Sequence, residues 1–416
     1  MTYHRGTRIH LIGRPLSDWC RPNMKNKFRF LTTVFIGFAC YANSFATGLI
    51  VRVTDPNLVS SILADFPVIL DVDQAGHSPF FRIEVDDDLA SSLEASLVND
   101  SRIVWVESEA FSKDLIFQSS HGSSVAAIFD RSASYPRNDR VKEQIGFSQN
   151  VVGRASLRVG IVDTGLSPLQ PLLYLKVIAG QSFVEGSPSI DDLPSNCDSN
   201  LNGILDEGAG HGTMVAGIIL QTAPNCQLVV AKSADSDGNA TPWSVLKGVV
   251  FCVENHAKLI NLSLGSAQPL TGFGPFVDWV EDNGSLIIAP IGNKGQNKTL
   301  FPAGYSNVVC VTGLLSDNTK APFSNWAPCA RVAAPATGIL GEWYTGSMAK
   351  WSGTSFAAPM VTGSLAAAIA NNPRRTPMFL RFALDATGVE IDGPNPAYQG
   401  QLGKLLNFTA LQEFLR

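Results

Sequence analysis

Much of the chain consists of short, uninterrupted apolar runs that alternate with segments of helical periodicity. From about residue 140 onward the runs are RVGIVD, QLVVAK, KLINLSL, SLIIAP, NVVCVTG and ARVAAP. A strand that is apolar at every position has both faces buried, which is typical of a parallel sheet covered by helices on both sides. The pattern therefore predicts a doubly wound, mostly parallel α/β domain. In such domains the reactive groups lie beyond the carboxyl ends of the strands.

Residues 47–111 follow a different pattern. GLIVRV, FFRIEV and RIVWVESEA are predicted strands, and NLVSSILADF and LASSLEASLV are predicted amphipathic helices. A β–α–β–β–α–β order predicts a small α+β unit with its helices on one side of an antiparallel sheet. The residues that follow, 112–134, are largely polar and small, without periodicity. They predict an exposed linker that is open to proteolytic cleavage.

The first 46 residues have the three-part arrangement of a secretory signal. A basic segment, MKNKFRF, begins at Met24, an apolar run follows, and small residues precede a cleavage site after Ala46. The apolar run is too short to span a bilayer. We therefore expect Met24 to be the true start and residues 1–23 to be an upstream extension. A lipid anchor at Cys40 is disfavoured, because no leucine stands where such an anchor site requires one.

Composition narrows the class of protein. The 416 residues carry a net charge of -5, and 45% are hydrophobic and 16% charged. This is an ordinary globular composition, and an acidic chain without basic clusters disfavours nucleic-acid binding. Export permits disulfides, but an odd number of cysteines follows the signal, so at least one must stay free or pair elsewhere. The sequence leaves the pairing open among Cys197, Cys226, Cys252, Cys310 and Cys329.

A serine stands at the predicted start of a buried helix late in the chain. In WSGTSFAAPM, residues 351–360, a turn around Gly353 precedes a helix rich in small residues. Proline is tolerated where helical N–H groups have no intrahelical partner. Pro359 therefore places the helix start within a residue or two of Ser355, whose hydroxyl and N–H then lie at the positive end of the helix dipole. A capping role is the alternative for such a serine.

Two more polar residues stand where an α/β fold gathers reactive groups. Asp163 ends the strand RVGIVD, and His211 begins a helix in GAGHGTMVAGII between Gly210 and Gly212. The flanking glycines remove bulk, which a packed structural histidine would not need. The DTG motif also occurs in aspartic proteases, but these need two carboxylates that share a proton. No second D-[ST]-G is present in the sequence.

Together these residues supply a nucleophile, a base and an orienting carboxylate. Serine attacks only when an imidazole takes its proton, and the imidazole needs a carboxylate to hold its tautomer. Ser355, His211 and Asp163 fill these three places. Asn293, in the glycine-flanked loop APIGNKG, would stabilise an oxyanion together with the Ser355 N–H.

The motifs DTG, GHGTMVAG, APIGNKG and GTSFAAP, in this order, resemble those of the subtilisin family of serine proteases. The resemblance runs from about Tyr135 to the end of the chain and includes PAGYSNVVCVTG, FSNWAPCARVAAP and YQGQLGKLLNFTAL. It implies a subtilisin-like catalytic domain over residues 135–416. One position departs from the family pattern: Met214 stands where a second histidine is usual. Its place one turn into the helix predicts a packing role.

The resemblance also implies a substrate cleft and an inhibitor. In the family, extended peptides pair with exposed strand edges and pockets add selectivity. The expected pocket residues are Ser263, Leu264, Gly265, Ala289, Pro290 and Gly292. Their small size predicts broad cleavage that prefers large apolar side chains. Residues 47–111 resemble the family's inhibitory propeptide, and the maturation cut is expected within 112–134.

The predicted protein is a secreted serine endopeptidase that matures from a zymogen by cutting itself. Its expected partners are protein or peptide substrates and its own propeptide, with no nucleic acid and, after signal cleavage, no membrane. It is expected to be a monomer that needs no cofactor for its chemistry. The alternative is a catalytically degenerate peptide-binding module of the same fold, which the presence of all four reacting groups disfavours.

A structural calcium site is predicted in the segment CDSNLNGILDEG, residues 197–208. Its oxygen donors have nearly the spacing of an EF-hand loop: Asp198, Asn200, Asn202, the Ile204 carbonyl and Asp206. Position twelve is Ala209 instead of a bidentate glutamate, although Glu207 could substitute. The alternative is a surface turn, since Asn, Gly and Asp are the usual turn residues.

Overall fold

A computed structural model describes residues 46–109, 117–119, 128–129, 138–147, 157–269 and 272–416. For segments 117–119 and 128–129 it describes the backbone alone. The predicted signal segment and most of the predicted linker lie outside these residues. Within the described part of the chain, no helix combines the length and apolar character needed to cross a membrane.

The N-terminal unit is a four-stranded antiparallel sheet with two helices. Its elements are β1 (Ala46–Val53), α1 (Val59–Asp65), β2 (Asp71–Gln74), β3 (Phe80–Asp86), α2 (Asp87–Val98) and β4 (Ile103–Ser108). The strands lie in the order β2-β3-β1-β4. Alternate residues of β3, Phe81, Ile83 and Val85, pack in the core beneath the helices, while Phe80 faces away from it. The predicted element order is confirmed.

The larger domain is built on an eight-stranded sheet in which every neighbouring pair is parallel. Its strands are β7 (Arg158–Asp163), β8 (Val177–Ser182), β9 (Gln227–Lys232), β11 (Leu259–Asn261), β13 (Leu286–Pro290), β14 (Val309–Leu314), β15 (Val332–Pro335) and β18 (Lys404–Leu405). Their order across the sheet is β18-β15-β14-β13-β11-β7-β9-β8. In β7, Val159 and Ile161 belong to one hydrophobic cluster and Val162 to another. Both faces are therefore buried, as the continuous apolar runs predict.

Helices cover both faces of this sheet. One face carries α5 (His211–Thr222), α8 (Thr354–Ile369), α9 (Pro377–Thr387) and α10 (Phe408–Leu415), and the other carries α6 (Pro242–Glu254) and α7 (Phe273–Asp282). Two short helices, α3 (Asp139–Gln144) and α4 (Pro171–Tyr174), complete the set in the described residues. Helix α8 is buried along its whole length, which explains its small side chains. The doubly wound α/β class predicted from the sequence is confirmed.

Two small three-stranded sheets include pieces of the predicted linker. In one, β5 (Phe117–Ser119) lies between β10 (Asn239–Ala240) and β12 (Leu264–Gly265), antiparallel to both. In the other, β17 (Met348–Trp351) lies between β16 (Ile339–Glu342) and β6 (Ile128–Phe129). Segment 112–134 thus contains two short strands that the sequence did not predict. They form by pairing with distant edges, so they leave no periodicity of their own.

The N-terminal unit packs with the outer face of its sheet against α6 and α7. Phe80 contacts Phe276 edge to face, with ring centroids 5.0 Å apart, and Trp279 at 5.3 Å. Ile50 and Ala75 belong to the same hydrophobic cluster as the α6 and α7 core residues. Aromatic pairs of this geometry add to the stabilisation from burial alone. The two units therefore share an apolar interface.

Candidate active site

The first predicted site residue, Asp163, is the last residue of β7 and has no exposed surface. Its Oδ1 atom accepts a hydrogen bond from the backbone N–H of Thr164, 2.8 Å away. The same oxygen lies 2.7 Å from Nδ1 of His211. A buried carboxylate held in this way fixes the orientation of the imidazole and stabilises its protonated form.

His211 is the first residue of α5 and follows Gly210, which has a φ of 89°. That left-handed conformation favours glycine. Gly212 leaves no room for a side chain, because a β-carbon there would lie 2.4 Å from the carbonyl oxygen of Gly165. The glycines predicted to remove bulk around the histidine therefore bring α5 into direct contact with the end of β7.

Ser355 is the second residue of α8, so the helix start predicted from the sequence is correct. The reason given for Pro359 is wrong, because this proline lies beyond the first turn of the helix. Its missing N–H would have bonded to the carbonyl of Ser355. That carbonyl instead accepts a hydrogen bond from the hydroxyl of Ser263, 2.9 Å away. Pro359 thus frees the carbonyl of Ser355 for a hydrogen bond that ties the backbone of Ser355 to the neighbouring strand end.

A buried chain of polar groups continues behind Ser263. The amide of Asn261 donates to the Ser263 hydroxyl at 2.8 Å, and the hydroxyl of Thr362 donates to Asn261 Oδ1 at 3.0 Å. All three residues have no exposed surface. Satisfied buried networks of this kind hold their members in a single arrangement. The carbonyl of Ser355 is therefore fixed by a network that joins β11 to α8.

Asn293 follows β13 and is held by the start of α8. Its Oδ1 atom accepts from both the backbone N–H and the hydroxyl of Thr354, each 2.8 Å away. With the oxygen engaged in this way, the NH₂ group of Asn293 is directed to the opposite side as a donor. The loop is anchored by Asn325, whose Oδ1 accepts the N–H groups of Lys294 and Gln296 at 3.0 Å each.

Aromatic rings bring the His211 and Ser355 helix ends together. The imidazole lies 5.3 Å from the ring of Phe356, the residue after Ser355, and 6.2 Å from that of Trp351. Ser355 and His211, like Asp163, have no exposed surface. The structure thus gathers all four residues predicted from the motifs at the carboxyl end of the sheet. Met214 is fully buried in the core, which confirms its predicted packing role.

Sequence reasoning missed Asp192, a buried carboxylate that caps the helix of His211. Asp192 Oδ1 accepts the N–H of Gly210 at 2.8 Å, and Oδ2 accepts the N–H and hydroxyl of Thr213 at 3.0 and 2.6 Å. A carboxylate at this end also complements the helix dipole. Asp192 lies in a polar loop whose composition predicts only turns, so no sequence signal separated it from Asp191.

Lys232 was also missed and lies next to Asp163 in the sheet. Its ammonium group, 3% exposed, donates to the carbonyl of Thr164 at 2.6 Å. The hydroxyl of Thr164 in turn accepts the N–H of Gly212 at 2.9 Å. Burial lowers the pKa of Lys232, and nearby carboxylates including Asp192 oppose this shift. These bonds link the residues that follow Asp163 and His211.

Replacing Asp192 with Asn should lower kcat about tenfold and leave KM nearly unchanged. The amide would turn an NH₂ group towards backbone donors, and losing a charge-assisted bond costs about 1.5–3 kcal/mol, enough for a tenfold change in rate. The matched control is Asp191→Asn, since the carboxylate of Asp191 accepts from the Tyr174 hydroxyl, 3.0 Å away, and caps no helix. A lower Tm with unchanged kcat would limit Asp192 to a structural role.

The predicted substrate-binding residues lie on two adjacent segments, joined by the bond from Leu262 N–H to the Ile288 carbonyl. Ser263, Leu264 and Gly265 are on one segment, and Ala289, Pro290 and Gly292 are on the other. A β-carbon at Gly265 or Gly292 would lie 2.9 Å from the side chain of Leu300. Leu300, which sequence reasoning missed, therefore packs against both glycines. Their role in substrate binding stays a prediction.

The loop predicted to bind calcium is held by its own hydrogen bonds. Asp198 accepts two backbone N–H groups within the loop, and Asp206 accepts two from the residues just before it. The side-chain amides of Asn200 and Asn202 donate to Glu207 at 3.1 Å. Across the described residues, no group of three His, Cys, Asp or Glu side chains is arranged to hold a metal ion. The arrangement fits a surface turn better than a cation site, and calcium binding stays a prediction.

A doubly wound parallel sheet with Asp163, His211 and Ser355 gathered at its carboxyl end is the arrangement expected of a hydrolase of the Asp–His–Ser type. The sequence model of the subtilase family, Peptidase S8, matches residues 154–396, more than half of the chain. The chain therefore belongs to the subtilase family of serine endopeptidases.

Individual relatives agree with this assignment. The chain is 32% identical over 246 residues to thermitase of Thermoactinomyces vulgaris, covering 57% of this chain and 82% of thermitase. It is 30% identical over 250 residues to subtilisin DY of Bacillus licheniformis, covering 57% of this chain and 85% of that protein. Fervidolysin from Fervidobacterium pennivorans, a keratinolytic enzyme related to subtilisin, superposes with a TM-score of 0.67 at 21% identity. That superposition covers 89% of this chain and 61% of fervidolysin, and it concerns the fold alone.

Proposed function

We propose that the protein hydrolyses peptide bonds through an acyl-enzyme. Ser355 attacks the carbonyl carbon, His211 takes the serine proton and returns it to the leaving amine, and Asp163 holds the imidazole. The side-chain amide of Asn293 and the Ser355 N–H stabilise the oxyanion. The observation that carries this proposal is the 2.7 Å contact between His211 Nδ1 and Asp163. This pair lies beside the start of α8, where Ser355 is located and where Thr354 orients Asn293 by a hydrogen bond. Cleavage of a denatured protein by the processed enzyme tests it.

Substrates are proposed to be extended peptides that pair with the edges of β10 and β12. Main-chain pairing at strand edges gives affinity without sequence choice. The antiparallel position of β5 between these edges supports this mode, because it shows that a peptide strand fits there. Gly265, Gly292 and Leu300 favour a large apolar side chain next to the scissile bond. A peptide-library profile dominated by Lys or Arg would contradict this preference.

We further propose that residues 47–111 inhibit the enzyme until it cuts itself. Besides the apolar interface, Glu107 accepts the N–H of Gly272 at 2.8 Å, just before α7. Asp73 accepts from Trp243 Nε1 and pairs with Lys247, each at 2.8 Å. Carboxylates placed on helices in this way add specific contacts to apolar packing. The absence of exposed surface on Asp163, His211 and Ser355 fits a closed zymogen.

The register of β5 suggests where the chain is cut. Gln118 lies opposite Gly265 and Ser119 opposite Leu264. One further antiparallel step reaches Ser263, whose hydroxyl contacts the Ser355 carbonyl. We therefore place the maturation cut directly after residue 120, inside the predicted interval 112–134. Because residue 120 is a serine, the position of this intramolecular cut is set by strand pairing and not by the preference for a large apolar side chain. The signal segment and secretion remain part of this proposal, with export preceding or accompanying maturation.

N-terminal sequencing of the matured wild type should place its first residue at 121, or within a residue or two of it. The Ser355→Ala chain, expressed without other proteases, should stay full length because no nucleophile is present. A mature terminus more than two residues away from 121 in either direction would contradict the register argument. Spontaneous shortening of Ser355→Ala to the same terminus would mean that another protease makes the cut.

A further inference from the structure

Two cysteines outside the catalytic site lie close to each other. Cys310 is in β14 and has no exposed surface, while Cys329 is exposed in the loop that precedes β15. Their sulfur atoms are 3.9 Å apart, and both are free thiols in this structure. A disulfide needs sulfurs about 2.05 Å apart. Bond formation therefore requires the two sulfurs to approach each other, and Cys329 lies in an exposed loop.

The other two free thiols among the described residues are buried and less reactive than Cys329. Cys226 and Cys252 are both buried, and burial raises the pKa of each, to about 12 for Cys226. Buried thiols with raised pKa values are inert. Reactivity towards an oxidant is therefore concentrated at Cys329, the one exposed member of this set.

We infer that Cys310 and Cys329 are an oxidisable pair that forms a disulfide with a small or protein disulfide as the oxidant. The ring that this bond closes, residues 310–329, contains Asn325, the residue that anchors the Asn293 loop through Lys294 and Gln296. The disulfide would therefore link the segment that carries Asn325 covalently to β14, and so stabilise the loop of Asn293, the proposed oxyanion donor. The inference concerns the stability of the proposed site and does not require the site to be active.

The chemistry needs no group beyond the oxidant. The Cys329 thiolate attacks one sulfur of oxidised glutathione, forming a mixed disulfide and expelling a glutathione thiolate. Cys310 then loses its proton and attacks the Cys329 sulfur, which expels the second glutathione thiolate. Two protein thiols are oxidised, one external disulfide is reduced, and the two protons end on the glutathione thiolates or in water.

The environment of the two sulfurs supports this order of attack. Contact with the Cys310 thiol lowers the pKa of Cys329 to about 6, and the same contact, with burial, raises the pKa of Cys310. The exposed sulfur is therefore the one that loses its proton first, and the buried one keeps its proton until the second step. The rate of mixed-disulfide formation at Cys329, the first step, should rise with pH and level off once that thiol is deprotonated.

The test uses the full Ser355→Ala chain, which cannot digest itself, incubated with oxidised glutathione or with a phosphine reductant. After alkylation and non-reducing digestion, mass spectrometry should find the peptides of Cys310 and Cys329 joined in the oxidised sample, with Cys226 and Cys252 alkylated. Recovery of Cys329 only as a glutathione adduct, with Cys310 alkylated on unfolding, would overturn the inference.

Thermal unfolding distinguishes the Cys310–Cys329 disulfide from oxidation at other residues. The oxidised chain should unfold about 5 °C or more above the reduced chain, because the bond closes a ring of about twenty residues. Cys329→Ser, a conservative change at an exposed position, should fold and show no difference between the two treatments. An equal rise in Cys329→Ser would also overturn the inference. Both readouts use an inactive chain, so they are independent of whether the proposed peptidase activity is found.

Discussion

Replacing Ser355 with Ala is expected to lower the rate of peptide hydrolysis by about 10⁶-fold, the loss found when a triad nucleophile is removed. The change removes the attacking oxygen and little else. The helix start is held through the backbone, by the bond from Ser263 to the Ser355 carbonyl and by the bonds from Thr354 to Asn293. The fold and substrate binding should therefore persist.

The variant should be processed in trans by immobilised wild-type enzyme that is then removed, and kcat/KM measured on an apolar peptide substrate. The matched control is Ser352→Ala, three residues earlier, whose hydroxyl accepts the N–H of Gly338 at 2.9 Å. That variant should keep its activity within roughly threefold, since losing one half-buried hydrogen bond of this kind costs only about 0.5–1.5 kcal/mol of stability and removes no reacting group. Residual activity of Ser355→Ala within tenfold of the wild type would assign the chemistry to another residue.

Asp163→Asn is expected to lower kcat by about 10⁴-fold, with KM almost unchanged. The carboxylate lies 2.7 Å from His211 Nδ1 in a site without exposed surface, so its charge acts with little screening. A neutral amide cannot stabilise the imidazolium that forms when Ser355 loses its proton. An amide can also present its NH₂ group to Nδ1 and so stabilise the wrong tautomer.

The measurement is the pH profile of kcat and kcat/KM for the processed variant. The loss in kcat should persist across the pH range, because a neutral amide can neither orient the imidazole nor stabilise its positive charge at any pH. Rescue of the rate at alkaline pH to near the wild-type value, or a loss smaller than tenfold, would show that Asp163 does not orient the base.

The positions of the candidate reactive residues could be predicted because each stands at an element boundary that the sequence marks locally. Asp163 ends an apolar run, and His211 and Ser355 begin helices after glycines, so the rule for the carboxyl ends of parallel strands places all three together. The role of Pro359 could not be predicted correctly. Its explanation is the hydroxyl of Ser263, which comes from a distant part of the chain.

Features that depend on contacts between distant parts of the chain could not be predicted, because they leave no local pattern in the sequence. Asp192 caps the His211 helix from a polar loop, and β5 exists only because two distant strand edges pair with it. The proximity of Cys310 and Cys329 likewise follows from the sheet, since the sequence allowed several pairings. In the loop around Asp198 and Asp206, the same residue types suit a cation site or a turn. Only the structure shows that backbone N–H groups donate hydrogen bonds to these two carboxylates.

Labelling of the processed protein with a fluorophosphonate tests the central claim most directly. This reagent reacts with a serine only when a base has activated its hydroxyl and an oxyanion hole receives the phosphoryl oxygen. We expect one adduct per chain, located by peptide mass spectrometry on Ser355. It should be absent in Ser355→Ala and strongly reduced in Asp163→Asn. A processed wild type that takes no label and cleaves no denatured protein would contradict the assignment and leave a peptide-binding module of the same fold.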